Sequence, residues 1–521
     1  MRNGLVKSFL LGSTAGLLAI GSAEASDVAF KSKPVDYVKV CSVYGAGFYY
    51  IPGSDTCLRL GGYIRVNLNV NTNSDGSGNY NGPGGAGNRY TNAYMTRARG
   101  KVNIDTRTAT EYGVVRTFFE GVYTWTTDSY AGAGNGSTTY ANNAAYNGSA
   151  GLVDGGSTGV YYAFLQFAGF TMGKAVSQFS APWVGYPANI YDGLVGGGGT
   201  ITGVNQFSYT ADFGNGITAA ISAQDQTQYT QAGLFNANVT SGTSPFGSND
   251  YAGTIAPDFI GMVRADQAWG SFQASVALHD NHAAYNGGAG IANSGTELAG
   301  HPQDKWGWAG QLALQIKNIP TGAGDSISVS GVYTNGATRY NMQDLASASS
   351  AMIIYGGTSL PGAYQSVGYG LAPDSLFGTL NGTSSGQQLV STWGFRAGYL
   401  HNWDAYWASG VYGAYAAVSY TGVAKTLICG VNNAGGSFRT QLAANLTTCN
   451  PDYNIGQIGV MTSWTPVKNL TFTADLTYTM LDQKMVGTVS APSTGIGKPA
   501  ATYELKDQNT LVLLLRAQRN F

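Results

Sequence analysis

The stretch YMTRARGKVNID, residues 94–105, alternates charged and apolar side chains with a period of two. Arg97, Arg99 and Lys101 fall on one face, and apolar residues such as Val102 fall on the other. A period of two predicts a strand with two unlike faces. In a soluble sandwich the apolar face would pack inward. In a membrane barrel it would meet lipid, and the cations would point into a water-filled lumen.

The composition excludes several classes of protein. Charged residues make up 11% of the 521 residues, against about 25% in soluble domains. The chain has 75 glycines and 34 tyrosines, and its formal net charge is −1. A nucleic-acid binder would show a basic excess, and an acidic disordered chain would show the opposite imbalance. We therefore expect neither.

The first 25 residues have the layout of a secretory signal peptide, with two cations, a short apolar run and small residues before the cleavage point. Cleavage is predicted between Ala25 and Ser26. No later stretch reaches the roughly 18 apolar residues that a membrane helix requires. The sequence thus predicts an exported chain without spanning helices.

The four cysteines form two local pairs, Cys41 with Cys57 and Cys429 with Cys449. An even number of cysteines in an exported chain favours disulfides. Metal binding is the weaker interpretation because the chain has no C-x-x-C unit, and two pairs of free thiols are weaker still.

Two-residue alternation recurs along the whole chain and predicts an all-β fold. Sixteen strands are predicted to start near residues 58, 94, 111, 159, 169, 204, 216, 257, 270, 304, 325, 388, 405, 453, 469 and 507. Their connections alternate between long polar segments and tight turns such as Gly214-Asn215-Gly216. Bacterial outer-membrane barrels have an even number of strands, short periplasmic turns and long extracellular loops. The pattern therefore predicts a 16-stranded antiparallel transmembrane β-barrel, which is wide enough to hold an aqueous channel.

The aromatic residues agree with two interfacial girdles. Trp269 and Trp403 lie at short turns, and Trp306 and Trp308 lie near a long connection. The alternative is that tryptophan covers exposed strand ends in a soluble protein.

A barrel with a water-filled lumen places the charged strand faces inward, because arginine on the lipid face costs about 2–4 kcal/mol at the midplane. The side chains predicted to line the pore from the strands are Arg59, Arg65, Arg97, Arg99, Lys101, Arg116 and Glu120. The excess of cations predicts a weak anion preference. The alternative is a wall whose charges neutralise one another.

Four segments resemble the alphaproteobacterial trimeric porins: YVKVCSVYGAGFYYIPGSDTCLRLGGYIRVN (37–67), YYAFLQFAGFTMGK (161–174), WTPVKNLTF (464–472) and LRAQRNF (515–521). The resemblance implies a homotrimer in the bacterial outer membrane that passes small hydrophilic solutes passively. It also implies that the third long loop, 176–203, folds inward and narrows the pore. Asp192 is the only acid in that loop and is the eighth expected pore-lining residue.

The predicted organisation is a signal peptide at 1–25, a periplasmic segment at 26–57 and the barrel at 58–521. Phe521 fits the insertion signal that the barrel-assembly machinery recognises. Outer-membrane lipids and small hydrophilic solutes complete the expected partners.

The sequence shows little that suggests catalysis. His279, His282 and His301 lie in or near one long loop and are interpreted as ordinary loop residues rather than a metal site. No catalytic residue, metal or cofactor is assigned. The sequence predicts a general diffusion porin, and the alternative function is a surface adhesin or receptor built on the same barrel.

Overall fold

The computed structural model describes eleven segments of the chain. They are residues 39–71, 94–126, 157–197, 202–225, 231–239, 246–287, 296–343, 352–357, 366–430, 436–491 and 501–521. The predicted signal peptide and its cleavage site lie outside these segments.

The described residues form a closed barrel of sixteen antiparallel strands. Each strand pairs with the next along the chain, and the last pairs with the first, from Tyr63 opposite Asn520 to Asn71 opposite Val512. The strands are β1 Cys57–Asn71, β2 Tyr94–Thr110, β3 Gly113–Thr126, β4 Ser157–Phe167, β5 Phe170–Ala175, β6 Val204–Asp212, β7 Ile217–Gln224, β8 Asp258–Gln267, β9 Gly270–Asn281, β10 Lys305–Lys317, β11 Ser326–Asn335, β12 Ser391–Asn402, β13 Trp407–Ser419, β14 Tyr453–Val467, β15 Leu470–Gln483 and β16 Gln508–Asn520. The predicted fold class and strand number are confirmed.

The alternation in the sequence determines which side chains face inward. On β2, Val102 points outward and is 41% exposed, whereas Asp105 points inward and is fully buried. The tryptophans of both predicted girdles, Trp269, Trp306 and Trp403 among them, are exposed on the outer surface. An apolar outer face and a polar inner face are the arrangement that lipid outside and water inside require.

The connections at one end of the barrel are short. Asn215 and Asn469 adopt positive φ angles of 51° and 67° there, which asparagine tolerates better than most residues. Gly216 has a φ of 74°, and a Cβ at this position would lie 2.0 Å from the Asp266 carbonyl oxygen. This close approach explains why glycine occupies the turn.

The long connections at the other end fold together into a structure that we call the cap. It comprises the described residues between β7 and β8, β11 and β12, β13 and β14, and β15 and β16. One four-stranded sheet of the cap contains Leu234–Asn236, Ser248–Asn249, Ser375–Phe377 and Gln388–Leu389. A second sheet, with five strands, contains Met352–Gly357, Ser366–Leu371, Asn445–Thr448, Val486–Ala491 and Ala501–Leu505. A hairpin pairs Thr379–Leu380 with Thr383–Ser384.

The cap has an apolar core of its own. Phe246 packs edge-on against Phe438, with ring centroids 5.3 Å apart, and Tyr369 lies 5.0 Å from the same Phe438 ring. All three side chains are fully buried. The disulfide Cys429–Cys449, with Cα atoms 5.8 Å apart, links two parts of one connection beside this core.

The helices of the described segments are short and lie in the connections and in the segment before β1, not in the strands of the wall. They are the α-helices Arg339–Met342, Gly422–Cys429 and Ser437–Gln441 and the 3₁₀ helices Ser42–Tyr44, Pro182–Val184 and Glu297–Ala299. None of the helices in the described segments has the length and apolar character needed to cross a membrane.

A small lobe precedes β1 at the short-turn end. Cys41 and Cys57 form a disulfide with Cα atoms 6.0 Å apart, and both pack against Phe48. Strand Tyr49–Tyr50 pairs with the start of β1. Both predicted disulfides are therefore present, and the barrel begins at Cys57, one residue before the predicted boundary.

Candidate pore

Three lumenal arginines are neighbours on the first two strands. Arg65 and Arg99 lie opposite each other across β1 and β2, and Arg97 lies opposite Asn67 in the next inward row. Arg65 Nε donates to the Gln518 side chain at 2.7 Å. These cations come together because inward-facing residues of paired strands share one face of the sheet.

The remaining predicted charges form two ion-paired groups closer to the short-turn end. Lys101 Nζ lies 2.8 Å from a Glu120 carboxylate oxygen. Asp105 contacts both Arg59, at 3.6 Å, and Arg116, at 3.1 Å. All seven strand residues predicted to line the pore thus lie on the inner faces of β1, β2 and β3.

The third long connection, described from residue 176 to 197, packs against the opposite inner wall. The Gln273 amide donates to the Phe179 carbonyl at 3.2 Å. On β14, the Gln457 amide donates to the Gly193 carbonyl at 2.8 Å and its oxygen accepts from the Val195 amide at 2.9 Å. We call the inner face of β9–β15 the covered wall and the inner face of β1–β4 the open wall.

Arg396 on β12 holds the middle of this connection. Its side chain is 1% exposed. Its guanidinium donates to the carbonyls of Val195 at 2.9 Å and Val184 at 3.1 Å, and also to the Leu194 carbonyl. A buried guanidinium needs partners for its donors, and here backbone carbonyls supply them.

Two other residues hold Ile190, which lies between these contacts in the sequence. The Asp475 carboxylate accepts from the Ile190 amide at 2.7 Å and from the Tyr412 hydroxyl. Arg516 on β16 donates to the Ile190 carbonyl at 3.4 Å and to the Asn67 side chain at 3.1 Å. Arg516 therefore links the connection to the open wall.

Asp192 faces the open wall from the third connection. The Tyr186 hydroxyl donates to its carboxylate at 2.7 Å. A tyrosine hydroxyl is uncharged at neutral pH, so it acts as a neutral donor here. Arg97 and Arg516 both lie within electrostatic range of Asp192. The arrangement sets one acid against a row of cations across the lumen.

Among the lumenal charges that were not predicted from the sequence are Arg107, Arg396, Asp475 and Arg516. Arg107 continues the alternating inward face that begins at Arg97, so the pattern alone could have identified it. Arg396 and Asp475 lie among uncharged neighbours, and their importance comes from partners in a connection more than 180 residues earlier in the chain.

One histidine is placed differently from the expectation. His279 lies in strand β9 and is fully buried, with Nδ1 2.7 Å from Asp258 and Nε2 3.4 Å from Asp374. The interpretation of His279 as a loop residue was wrong, because strand β9 and its inward-facing polar residues extend to the level of the cap. His282 pairs with Asp304 at 2.9 Å. Within the described segments, no group of three or more His, Cys, Asp or Glu side chains is arranged to hold a metal ion.

A sixteen-stranded closed barrel with apolar outer and charged inner faces defines an outer-membrane β-barrel of the porin class. A family model described as the porin subfamily matches residues 27–514. The chain belongs to this family of bacterial outer-membrane porins, which is a family of channels and not of enzymes.

Curated relatives match the chain over part of its length. Porin Omp2b of Brucella suis is 31% identical over 279 residues, and so is Porin Omp2b of Brucella melitensis. The alignment covers 52% of this chain and 65% of each relative, which is slightly under two thirds of their length.

Solved structures with a similar fold are more distant in sequence. The outer-membrane channel DcaP of Acinetobacter baumannii is 13% identical with a TM-score of 0.49, over 91% of this chain and 99% of that one. The anion-selective porin of Comamonas acidovorans is 11% identical with a TM-score of 0.41, over 89% and 100%. OmpT of Vibrio cholerae, in its trimer form, is 8% identical with a TM-score of 0.42, over 90% and 100%.

Proposed function

We propose that this chain forms a passive aqueous channel through the outer membrane for small hydrophilic solutes and ions. The observation that carries the proposal is the asymmetry of the lumen. One wall is covered by the third long connection, and the other presents arginines such as Arg65 and Arg99 to the remaining space. Sixteen strands enclose enough room for an aqueous path beside the connection.

In this proposal residues 176–203 form the constriction. Asp192 and Tyr186 stand on one side of the opening, and Arg65, Arg97 and Arg516 stand on the other. Charges of opposite sign across a narrow lumen create a transverse field, which orders the water and dipolar solutes that pass. The backbone hydrogen bonds from Arg396 and Gln457 keep this side of the opening in place.

The proposed ion preference is weakly anionic. On the open wall the two carboxylates are buried, with exposed side-chain fractions of 0% for Asp105 and 6% for Glu120, whereas the cation side chains paired with them are 20–43% exposed. An ion in the lumen therefore meets cations first. Rings and rows of arginine are a common basis of anion-preferring pores.

We also propose that the channel is a homotrimer surrounded by outer-membrane lipids. The resemblance to the alphaproteobacterial trimeric porins supports it. The expected result is an oligomer of three chains in mild detergent by mass measurement, dissociating on heating. A monomer under the same conditions would contradict this part of the proposal.

Single-channel recording in a planar bilayer tests the function. Purified protein should insert in conductance steps, and a salt gradient should give a reversal potential on the anion side at low salt. The preference should fade near 1 M salt, where the screening length is about 3 Å. Protein that folds but produces no steps would contradict the channel and favour the surface-receptor alternative.

A further inference from the structure

Three guanidiniums surround one carboxylate near the short-turn end of the open wall. Arg107 and Arg116 each lie 3.1 Å from the Asp105 carboxylate, and Arg59 lies 3.6 Å from it. The Asp105 side chain is fully buried, whereas the side chains of Arg107 and Arg116 are each 27% exposed. The cluster carries a formal excess of two positive charges, and the part that a solute can reach is cationic.

Aromatic rings hold these guanidiniums in place. Arg116 Cζ lies 5.2 Å from the Phe118 ring centroid and 5.4 Å from that of Phe164. Arg107 Cζ lies 4.9 Å from the Phe48 ring of the disulfide-linked lobe. Rings stacked on a guanidinium reduce the conformational freedom that it would otherwise lose on binding. Nε and Nη2 of both arginines donate to the Asp105 oxygens at 3.1–3.3 Å, and Arg116 Nη1 donates to Gln166 at 2.9 Å. Their remaining Nη protons are thus held in place for an oxyanion.

A cavity of about 580 Å³ adjoins the cluster. Arg107 and Arg116 line it together with Gln166, Thr210 and Asp212. The volume lies in the range of small-molecule sites and far exceeds that of a chloride ion. The amide and hydroxyl groups suit a hydroxylated solute, and the Asp212 carboxylate disfavours a second negative charge on it.

We propose that this cavity is a solute subsite for small hydroxylated monocarboxylates. The solute carboxylate accepts from the Nη protons of Arg107 and Arg116 that are not bonded to Asp105 or Gln166, and its hydroxyls bond to Gln166 and Thr210. The subsite lies between the constriction and the periplasmic exit. This proposal rests on the proposed channel function. It adds a class of solute that the ion preference alone does not specify.

Gluconate, acetate and glucose separate the two components of recognition. Gluconate has a carboxylate and hydroxyls, acetate has the charge alone, and glucose has the hydroxyls alone. In single-channel recordings in potassium chloride, gluconate should interrupt the current in a saturable manner, whereas acetate and glucose should require at least about tenfold higher concentrations.

Substitutions in the cavity test which side chains bind gluconate. Arg107→Gln and Arg116→Gln should each weaken gluconate binding about tenfold, since each removes a charge-assisted contact. Thr210→Val, which alters no charge, should weaken it about threefold. Lys317→Gln is the matched control: it removes a cation at the same end of the barrel, where Lys317 contacts Ser271, and gluconate binding should not change.

The outcomes distinguish the two proposals. Protein without conductance steps contradicts the channel itself. Channels that gluconate does not interrupt, or that acetate interrupts equally well, overturn the subsite alone. If the arginine variants fail to insert, Thr210→Val decides, and gluconate binding unchanged in that variant overturns the assignment.

Discussion

The two walls of the lumen are built from the same kind of strand, but their inward-facing side chains have different partners. Both present polar side chains inward at alternate positions. On the open wall, Arg65 and Arg99 bond side chains of neighbouring strands. On the covered wall, Arg396 and Gln457 are buried and bond the backbone of the third long connection. The same alternation therefore provides lumen-facing cations on one side and structural anchors on the other.

The anchors are also joined to the cap. Tyr191, Leu194 and Val195 of the third connection belong to the same buried apolar cluster as Phe438 and Tyr369 of the cap. The third connection and the cap are consequently one packed unit on this side. The open wall is joined to the third connection through the Arg516–Asn67 contact, and its more exposed cations, such as Arg65 and Arg99, should be exchangeable with little effect on the fold.

The largest effect is expected from Arg396→Met. The substitution leaves three backbone carbonyls without their donor and should weaken attachment of the connection by about 3 kcal/mol. Channels should show larger and noisier conductance, and the protein should unfold at a lower temperature. Arg65→Met on the open wall is the control. It should change the current noise and the unfolding temperature much less than Arg396→Met does. Equal behaviour of the two variants would remove the distinction between the walls.

A smaller effect is expected from replacing Cys429 and Cys449 with serine. The disulfide closes a loop over a sequence separation of 20 residues, and such bridges contribute typically about 2–4 kcal/mol, here confined to the cap. Limited proteolysis on intact cells should cut residues 421–452 faster, with only a modest rise in current noise. The matched control, Cys41→Ser with Cys57→Ser, alters the lobe at the short-turn end and should leave surface proteolysis unchanged. Current noise as large as in Arg396→Met would show that the cap, more than Arg396, holds the constriction.

The third prediction concerns ion preference. Replacing Arg97 and Arg99 with glutamine should move the reversal potential toward cations. Removing one charge about 7 Å from a passing ion changes its energy by about 0.6 kcal/mol in a water-like medium, which is roughly threefold in permeability ratio per charge at low salt. Folding should be retained, because lumenal positions tune selectivity more than stability. Cation preference in the unmodified pore, unchanged in the double variant, would contradict the anion-preferring wall.

The smallest effect is expected from Asp192→Asn. Loss of this carboxylate should raise anion preference about twofold, since Asp192 is partly screened by its hydrogen bond from Tyr186. Reversal potentials at low salt measure the change, and Asp212→Asn, an acid away from the constriction, serves for comparison. A shift toward cations in Asp192→Asn would mean that the acid does not face the conducting path.

The strands could be predicted from sequence because their faces are encoded locally. Alternation near Arg97 and tight turns such as Gly214-Asn215-Gly216 identified the barrel strands to within about three residues at their starts. The cap could not be predicted, because its pairings join distant and aperiodic segments, for example Ser366 beside Glu504 in parallel strands. Arg396 was missed for a related reason: a single lumenal arginine looks the same in sequence whether it meets water or three carbonyls of a remote loop.

Closure of the barrel has a consequence for how the protein folds. Tyr63 pairs with Asn520, so the contact that completes the wall joins residues far apart in sequence. Contacts of this kind form slowly because the intervening chain must lose its freedom first. Until that contact exists, β1 and β16 both expose unpaired backbone groups, which lipid does not solvate. Membrane insertion and completion of the wall must therefore be coupled, and a partly inserted intermediate needs another surface to pair with its open edges.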